Sequence, residues 1–476
     1  MASTSRATKK RVLDPIIALL RWAWYRLERT VLLAFKIVFP SRFISPLGFL
    51  GMLTFVVFVL LGISGAVLMF HYTPNFGDCS PSATATSCNQ AFQSVQSIND
   101  QVNWGLMMRN IHYHASNAMV LLAVMHMFYQ FFSGRYKLRY EMLWITGVIL
   151  GVVTVVEAYT GYDLILNIRG QLAINIGRTL TLLSPPRQIL GTFLAQVIFG
   201  FSFNDIVLRF YALHVFIIPI VMLALMGVHL PKNLVLDIPV SSAIIGIIFV
   251  MGGLFPVELG VQYDPRLRTE ITFPEWYFTS LYAFIRVKGL DPFIAGAIVP
   301  AIFVVIFLVV PLLDRGKRIA MIDRPFWIAL GVASLGQMAI VTVWGFRADN
   351  PLLPLSNPNQ LVIDSSLFFA SLIVATALAY GFVYAFVRWR KTKIDALRAA
   401  RKPLPFRKLP PYIFSRSEVY ALIGGLLLLQ VFLDVSIFQA VLSGLKNYAL
   451  FEIGLVLVAF AATFHIYRVS VQSKLV

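Results

Sequence analysis

The stretch RNIHYHASNAMVLLAVMH, Arg109–His126, holds His112 and His126 fourteen residues apart in an otherwise apolar run. A second stretch, RFYALHVFIIPIVMLALMGVH, Arg209–His229, holds His214 and His229 fifteen apart. Four helical turns span about 14 residues, so each pair lies near one face of its helix, about 21 to 23 Å apart along the axis. Two facing helices so equipped can hold two stacked haems, each between one histidine of either helix, one near each side of a membrane. A lone histidine on an apolar helix is usually a satisfied polar residue. Ionisable groups inside membrane helices are costly and mark function, and four of the seven histidines here fall in register. His71, His114 and His465 have no partner at this spacing and stay unassigned.

Composition sets the class. The 476 residues are 58% hydrophobic and 13% charged, against about 25% charged in soluble domains, so the chain reads as an all-α polytopic membrane protein. Its net charge of +18 sits in short loops and at the flanks of apolar runs, where cytoplasmic bias and anionic lipid account for it; no basic soluble domain suggests nucleic acid. From Lys9 to Arg42, basic residues alternate with Trp22, Trp24, Tyr25, Leu32 and Phe35. That pattern predicts an interfacial amphipathic segment rather than a cleavable signal, and the apolar run Leu32–Pro40 is too short to cross.

Ten apolar stretches are long enough to span, near 48–71, 107–132, 141–162, 207–230, 240–258, 292–313, 325–345, 364–388, 418–441 and 449–468. The first four are expected to form a dihaem four-helix bundle within residues 46–235. A second domain, 236–390, a basic linker, 391–416, and a pair of further helices, 417–476, follow the N-terminal segment 1–45 and this bundle. Arg135, Lys137 and Arg139, then Arg315, Lys317 and Arg318, then the run Arg388–Lys408 share a side with the basic N-terminus, which the positive-inside rule makes cytoplasmic. Both termini are then inside a prokaryotic plasma membrane. The long connections 73–104, 163–205 and 259–291 fall outside, where a disulfide between Cys79 and Cys88 is permitted. Both histidine helices run inward, so His112 pairs with His214 at an outer haem iron, and His126 with His229 at an inner one.

Gly51 and Gly65 lie fourteen apart in the first span, and Gly147 and Gly161 fourteen apart in the third. A haem edge packed on a helix needs a residue without a side chain at each level, which these four are expected to supply. Arg109 and Arg209 precede the outer histidines and are candidates for pairing with haem propionates, the alternative being interfacial snorkelling. Glu157 is an unusual acid deep in the third span, facing a haem, a proton path or a polar neighbour. Asp237 and Lys232 follow His229 and read as solvated loop charges.

With the histidine runs and the tetrapeptide Pro274-Glu275-Trp276-Tyr277, the chain resembles the cytochrome b subunit of quinol-oxidising complexes of the cytochrome bc and b6f type, over about residues 35–390. The resemblance implies two non-covalent b haems and a quinol-oxidation site on the outer side, at Pro274–Tyr277 with Tyr162. It also implies a separate Rieske iron–sulfur protein, a downstream acceptor such as a cytochrome c or a copper protein, an inner quinone site, and a homodimeric complex. Quinol oxidation releases protons, and Glu275, a carboxylate in a partly apolar loop, suits their acceptance; Pro274 stiffens the turn, while Trp276 and Tyr277 either line the pocket or anchor the loop. The fifteen-residue histidine spacing resembles the b6f branch, and the undivided chain the bc branch. After Gly161-Tyr162 the chain reads Asp163-Leu164-Ile165-Leu166-Asn167, where the family has an aromatic-rich Pro-Trp stretch. No cysteine stands near the first span to hold a further haem covalently. The two helices after residue 415 lie beyond the resemblance, and a partner subunit and an interface are both open to them. Two other classes compete: a dihaem conduit serving a soluble dehydrogenase or hydrogenase, which has no use for Glu275, and a haem-free transporter, which has none for four histidines in register.

Overall fold

The computed structural model describes residues 15–25, 36–40, 46–77, 88–137, 140–266, 272–347, 361–401 and 415–472. Lys9, Leu32, Phe35, Arg42, Cys79 and Arg139, and the stretch 402–414, lie outside them. The described helices are α1 (15–25), α2 (Leu50–Met69), α3 (Gln90–Asp100), α4 (Gly105–Ser133), α5 (Glu141–Asp163), α6 (Ile168–Leu182) and α7 (Thr192–Phe199). They continue with α8 (Phe203–His229), α9 (Ile238–Leu254), α10 (Thr279–Ile285), α11 (Ile294–Leu313), α12 (Pro325–Phe346), α13 (Ser365–Ala399), α14 (Arg416–Leu442) and α15 (Lys446–Gln472).

Among the described residues nine helices are long and apolar enough to cross a membrane. The tenth expected span is α9, shorter at 17 residues because Pro256 bars the helical conformation at Phe255. In α1, Leu19, Leu20 and Trp24 are exposed. One departure from the all-α expectation is a parallel pair of three-residue strands, β1 (Lys36–Val38) and β2 (Asn233–Val235). It clips the chain before α2 to the loop between α8 and α9.

Helices α2, α4, α5 and α8 form the expected bundle. Its centre is apolar: Leu50, Met52, Leu53 and Val57 of α2 meet Ala115, Met119 and Leu122 of α4 and Ile218 and Met222 of α8. Helix α9 closes one side with Ile248. Within α8, residues Leu213–Ile217 form a π turn in which the Ile218 amide reaches back to the Leu213 carbonyl. Pro219 lacks the N–H that would continue the ordinary ladder there. The extra residue absorbed by this turn is why a fifteen-residue spacing in α8 can face a fourteen-residue spacing in α4: on a straight helix the odd residue would swing one histidine about 100° around the axis.

The three long connections gather at one end of the bundle. Phe76 and Ala91 from the first, Leu164, Leu166, Ile174 and Phe199 from the second, and Tyr263 from the third share one apolar core with Ile206, Val207 and Phe210 of α8. Buried Asn89 caps α3 and gives its amide N–H groups to the carbonyls of Leu166 and Tyr263, each at 3.0 Å. Cys88, beside it, is disulfide-bonded; Cys79 lies outside the described residues.

The opposite end is held by buried charge. Asp314, after α11, accepts from Tyr136 Oη at 2.6 Å, Lys137 Nζ at 2.5 Å and Arg324 Nε at 2.9 Å. Asp237, expected in solvent, has no exposed surface and pairs at 2.7 Å with Arg468 of α15. The reason is α15 itself, which lies so closely on α9 that a Cβ on Gly246 or Gly454 would stand 2.7 or 2.6 Å from the other's carbonyl oxygen. Small residues permit such approach between membrane helices. The hairpin of α14 and α15 is thus built into the molecule through α9, and Asn447 of α15 meets Asn110 of α4.

Candidate functional site

The bundle brings its four histidines together in two facing pairs. The rings of His112 and His214 stand 6.3 Å apart between centroids at 81°, and those of His126 and His229 stand 6.3 Å apart at 90°. Two imidazoles binding one metal from opposite sides, at about 2 Å each, place their centroids about 6 Å apart, so the gap has the width of a doubly ligated ion. The other ring nitrogens are held: His112 Nδ1 meets Ser64 Oγ at 2.9 Å, His229 Nδ1 meets Thr146 Oγ1 at 3.3 Å, and His214 Nδ1 meets the Glu157 carbonyl at 3.1 Å. Among the described residues His126 Nδ1 is buried without a partner. Hydrogen bonds at Nδ1 fix a ring so that Nε2 is offered as the ligand. Among the described residues no three His, Cys, Asp or Glu side chains converge on a common point. A pair of imidazoles therefore suits a metal whose remaining ligands come from elsewhere, as a porphyrin provides.

The four glycines prove to be partners of the histidines. A Cβ on Gly161 would lie 2.4 Å from His214 Cε1, on Gly147 2.7 Å from His229 Cε1, on Gly51 2.9 Å from His126 Cε1, and on Gly65 3.1 Å from His112 Cε1. What the missing side chains admit is the imidazole, which stands against each glycine. The Arg109 guanidinium is buried and donates to the carbonyls of Val257 (2.9 Å) and Glu258 (3.1 Å). Arg209 donates to the carbonyls of Gln196 and Val197. Both arginines fasten loops.

Next to the His112–His214 pair lies a second constellation. Glu275 Oε2 accepts from Tyr113 Oη at 3.1 Å, and Oε1 stands 3.7 Å from Arg169 Nη1; the Glu275 side chain is 11% exposed and that of Arg169 54%. Trp276 Nε1 donates to Asn117 Oδ1 at 2.5 Å, which makes it an anchor of the loop. Tyr113 and Asn117, four apart on α4, share a face, so the helix that carries His112 also grips the loop after Pro274 at two points. Tyr277 packs on Phe278, ring centroids 4.8 Å apart. Burial, and next the charge of Glu275, push the Tyr277 phenol up from its ordinary value, so it stays a protonated donor. Tyr162 has a buried hydroxyl without a partner among the described residues, within electrostatic reach of Glu275, Arg169 and Tyr277.

Sequence reasoning missed Tyr113, Asn117 and Arg169, since nothing in a spacing links α4 to a loop some 160 residues later. Asp163 stood out only as a departure from a pattern. It is 1% exposed and lies beside Tyr159, whose hydroxyl donates to the Ala173 carbonyl at 3.1 Å. His114, unassigned from the sequence, bonds the Phe255 carbonyl at 2.8 Å.

The cytochrome b(N-terminal)/b6/petB model matches residues 117–255, and the cytochrome b(C-terminal)/b6/petD model matches residues 265–358. Cytochrome b6 of Acaryochloris marina (strain MBIC 11017) is 31% identical over 182 residues, 38% of this chain and 78% of that relative. The chain belongs to the cytochrome b family. The first match contains His126, His214 and His229 and begins after His112; the second contains Pro274–Tyr277. A solved structure described as a hyperthermophilic respiratory Complex III shares the fold, with a TM-score of 0.52 and 22% identity over 75% of this chain and 95% of its own. As a cytochrome b of the bc type, the chain is a haem-binding, multi-pass membrane subunit of an electron-transporting oxidoreductase.

Proposed function

We propose that this cytochrome b oxidises quinol at the end of the bundle bearing Glu275. One electron leaves to a Rieske iron–sulfur protein and the other crosses the membrane by way of two b haems, held by His112 with His214 and by His126 with His229, to a quinone site at the opposite end. The observation that carries this reading is the pair of histidine gaps, equal in width and stacked along one bundle. Glu275 is the proton acceptor. Tyr113 holds its carboxylate from one side, and half-exposed Arg169 on the other leads toward water, so a proton taken from a quinol hydroxyl has an outward route. Tyr162 and Tyr277 offer protonated hydroxyls beside it that orient the bound ring. The conduit reading leaves this arrangement without a task. By the positive-inside rule the Glu275 end is extracytoplasmic and both termini are cytoplasmic, which makes proton release outward. A dimeric complex and a cytochrome c or copper protein as final acceptor complete the proposal.

Redox-titrated visible spectra of the purified complex, with pyridine-haem quantitation and single His→Ala variants, test it. Two b haems of different potential are expected, one lost with His112 or His214 and the other with His126 or His229. A complex without haem, or one in which all four variants affect one haem alike, would end the reading.

A further inference from the structure

Helix α14 begins well past the second family match, which ends at residue 358. Between Glu418 and Lys446 its sequence holds one charged residue, Asp434. That residue lies eight before the helix's last, Leu442, about 12 Å from the end at about 1.5 Å per residue, and so deep within a hydrocarbon core about 30 Å thick. Its side chain is exposed, and among the described residues no hydrogen bond or ion pair reaches it. Helix α14 turns Val419, Leu433 and Ala440 inward, and Gln430 gives its amide to Thr463 of α15 at 3.1 Å. Asp434 points elsewhere. Leu427 and Val431 before it and Phe438 and Val441 after it, at helical spacings of three, four and seven, share its face and are all exposed. Lipid offers a carboxyl no hydrogen-bond partner in either protonation state, and a side chain with a single methylene is too short to reach the headgroups. The same hairpin houses its other acid differently: Glu452 of α15 is buried and accepts from Ser436 Oγ at 2.5 Å.

We infer that the outer face of α14 is a docking surface for a transmembrane helix of a different subunit, which presents a lysine or arginine to Asp434. Acids inside membrane helices face protein or water and pair with a partner, and polar contacts of this kind hold membrane helices together. Charge complementarity names the partner's chemistry. Where this chain buries Asp237 and Asp314 it pairs them with Arg468 and with Lys137 and Arg324. A second copy of the chain has no such group to spare. Away from the cytoplasmic end of α13, the basic side chains set inside the described spans are Arg109, Arg209 and Arg468, and each is already bonded to carbonyls or to Asp237. Two copies meeting at this face would instead bring acid against acid. Through α15 and α9 the hairpin is fixed to the bundle, so a helix held at Asp434 anchors its subunit to the histidine-bearing core.

The test is photo-crosslinking of the full chain in its native membrane, with a benzophenone amino acid at Phe438, one turn from Asp434, and adducts identified by peptide mass spectrometry. The expected adduct is with a membrane-spanning peptide of another subunit that carries Lys or Arg within its apolar run. Adducts with lipid alone, with a second copy of this chain, or with a span lacking a basic residue would overturn the inference. Asp434→Leu, which lipid tolerates, should cut the adduct yield at least tenfold while the amount of inserted chain stays at the parental level. Asp434→Lys should do the same, and exchanging the partner's basic residue for Asp should then restore the yield. An undiminished yield in Asp434→Leu, or no restoration by the charge exchange, would refute the pairing. Should the Asp434→Lys chain fail to accumulate, Asp434→Leu decides: a tenfold loss of adduct supports the docking surface, and a parental yield refutes it.

Discussion

Each histidine of the two pairs leans on a glycine of the facing helix, and the four clearances differ. They grade from 2.4 Å at Gly161 through 2.7 Å at Gly147 and 2.9 Å at Gly51 to 3.1 Å at Gly65. Below 3 Å a methyl group must displace the ring, and overpacking of this kind costs about 1–3 kcal/mol. Alanine substitutions are therefore expected to lower haem occupancy in that order, Gly161→Ala abolishing its haem and Gly65→Ala nearly sparing its own; pyridine-haem assays of the four variants read this directly, and a flat series would contradict the ring-clearance argument. Glu275→Gln should slow quinol oxidation by about 100-fold or more, the usual scale for losing a positioned proton acceptor, with both haem spectra intact. Unchanged turnover would remove Glu275 from the proton path. The candidate ligands were legible in the sequence because helical period and membrane thickness constrain them together. The contacts of Glu275 were not, because Tyr113 and Arg169 reach it from distant parts of the chain.

At the level of elements, α9 and α15 form the closest helix pair in the molecule's second half, sealed by the buried Asp237–Arg468 pair. Removing one partner of a buried ion pair strands the other, at a cost of about 3–5 kcal/mol. Arg468→Met should thus lower the thermal unfolding midpoint of the detergent-solubilised protein clearly, and adding Asp237→Asn should restore much of the loss; a single variant as stable as the parent would show the pair to be idle. The same element explains a misreading. Asp237 looks like a loop charge because it follows a span, and only the arrival of α15 from the far end of the chain buries it. The π turn at Leu213–Ile217 is a second case: the histidine spacing and Pro219 were both visible, but that one compensates for the other needs the facing helix as a ruler.

For the whole molecule, the three long connections merge into one layer around Asn89 and the disulfide-bonded Cys88, while the buried charges of Asp237, Asp314, Arg324 and Arg468 lie at the other end of the helices. The proposed orientation puts that second end on the cytoplasmic side, by the positive-inside rule. A protease site engineered into the basic segment 391–416 should then be cut in inverted membrane vesicles and protected in right-side-out ones; the reverse pattern would invert the proposed direction of proton release.

The sequence by itself determined the membrane class, the ten apolar segments, the two histidine repeats and the Pro-Glu-Trp-Tyr loop. All of these are written in local periodicity or in one contiguous stretch, where burial in lipid leaves few alternatives. Only the tertiary structure decided that glycines clear space for imidazoles, that Arg109 and Arg209 fasten loops, that Glu157 rests on His214, and that the last helix completes the bundle's flank. Each of those depends on which helix faces which and at what rotation, and that is fixed by close packing between segments far apart in the chain, on which a linear pattern carries no information.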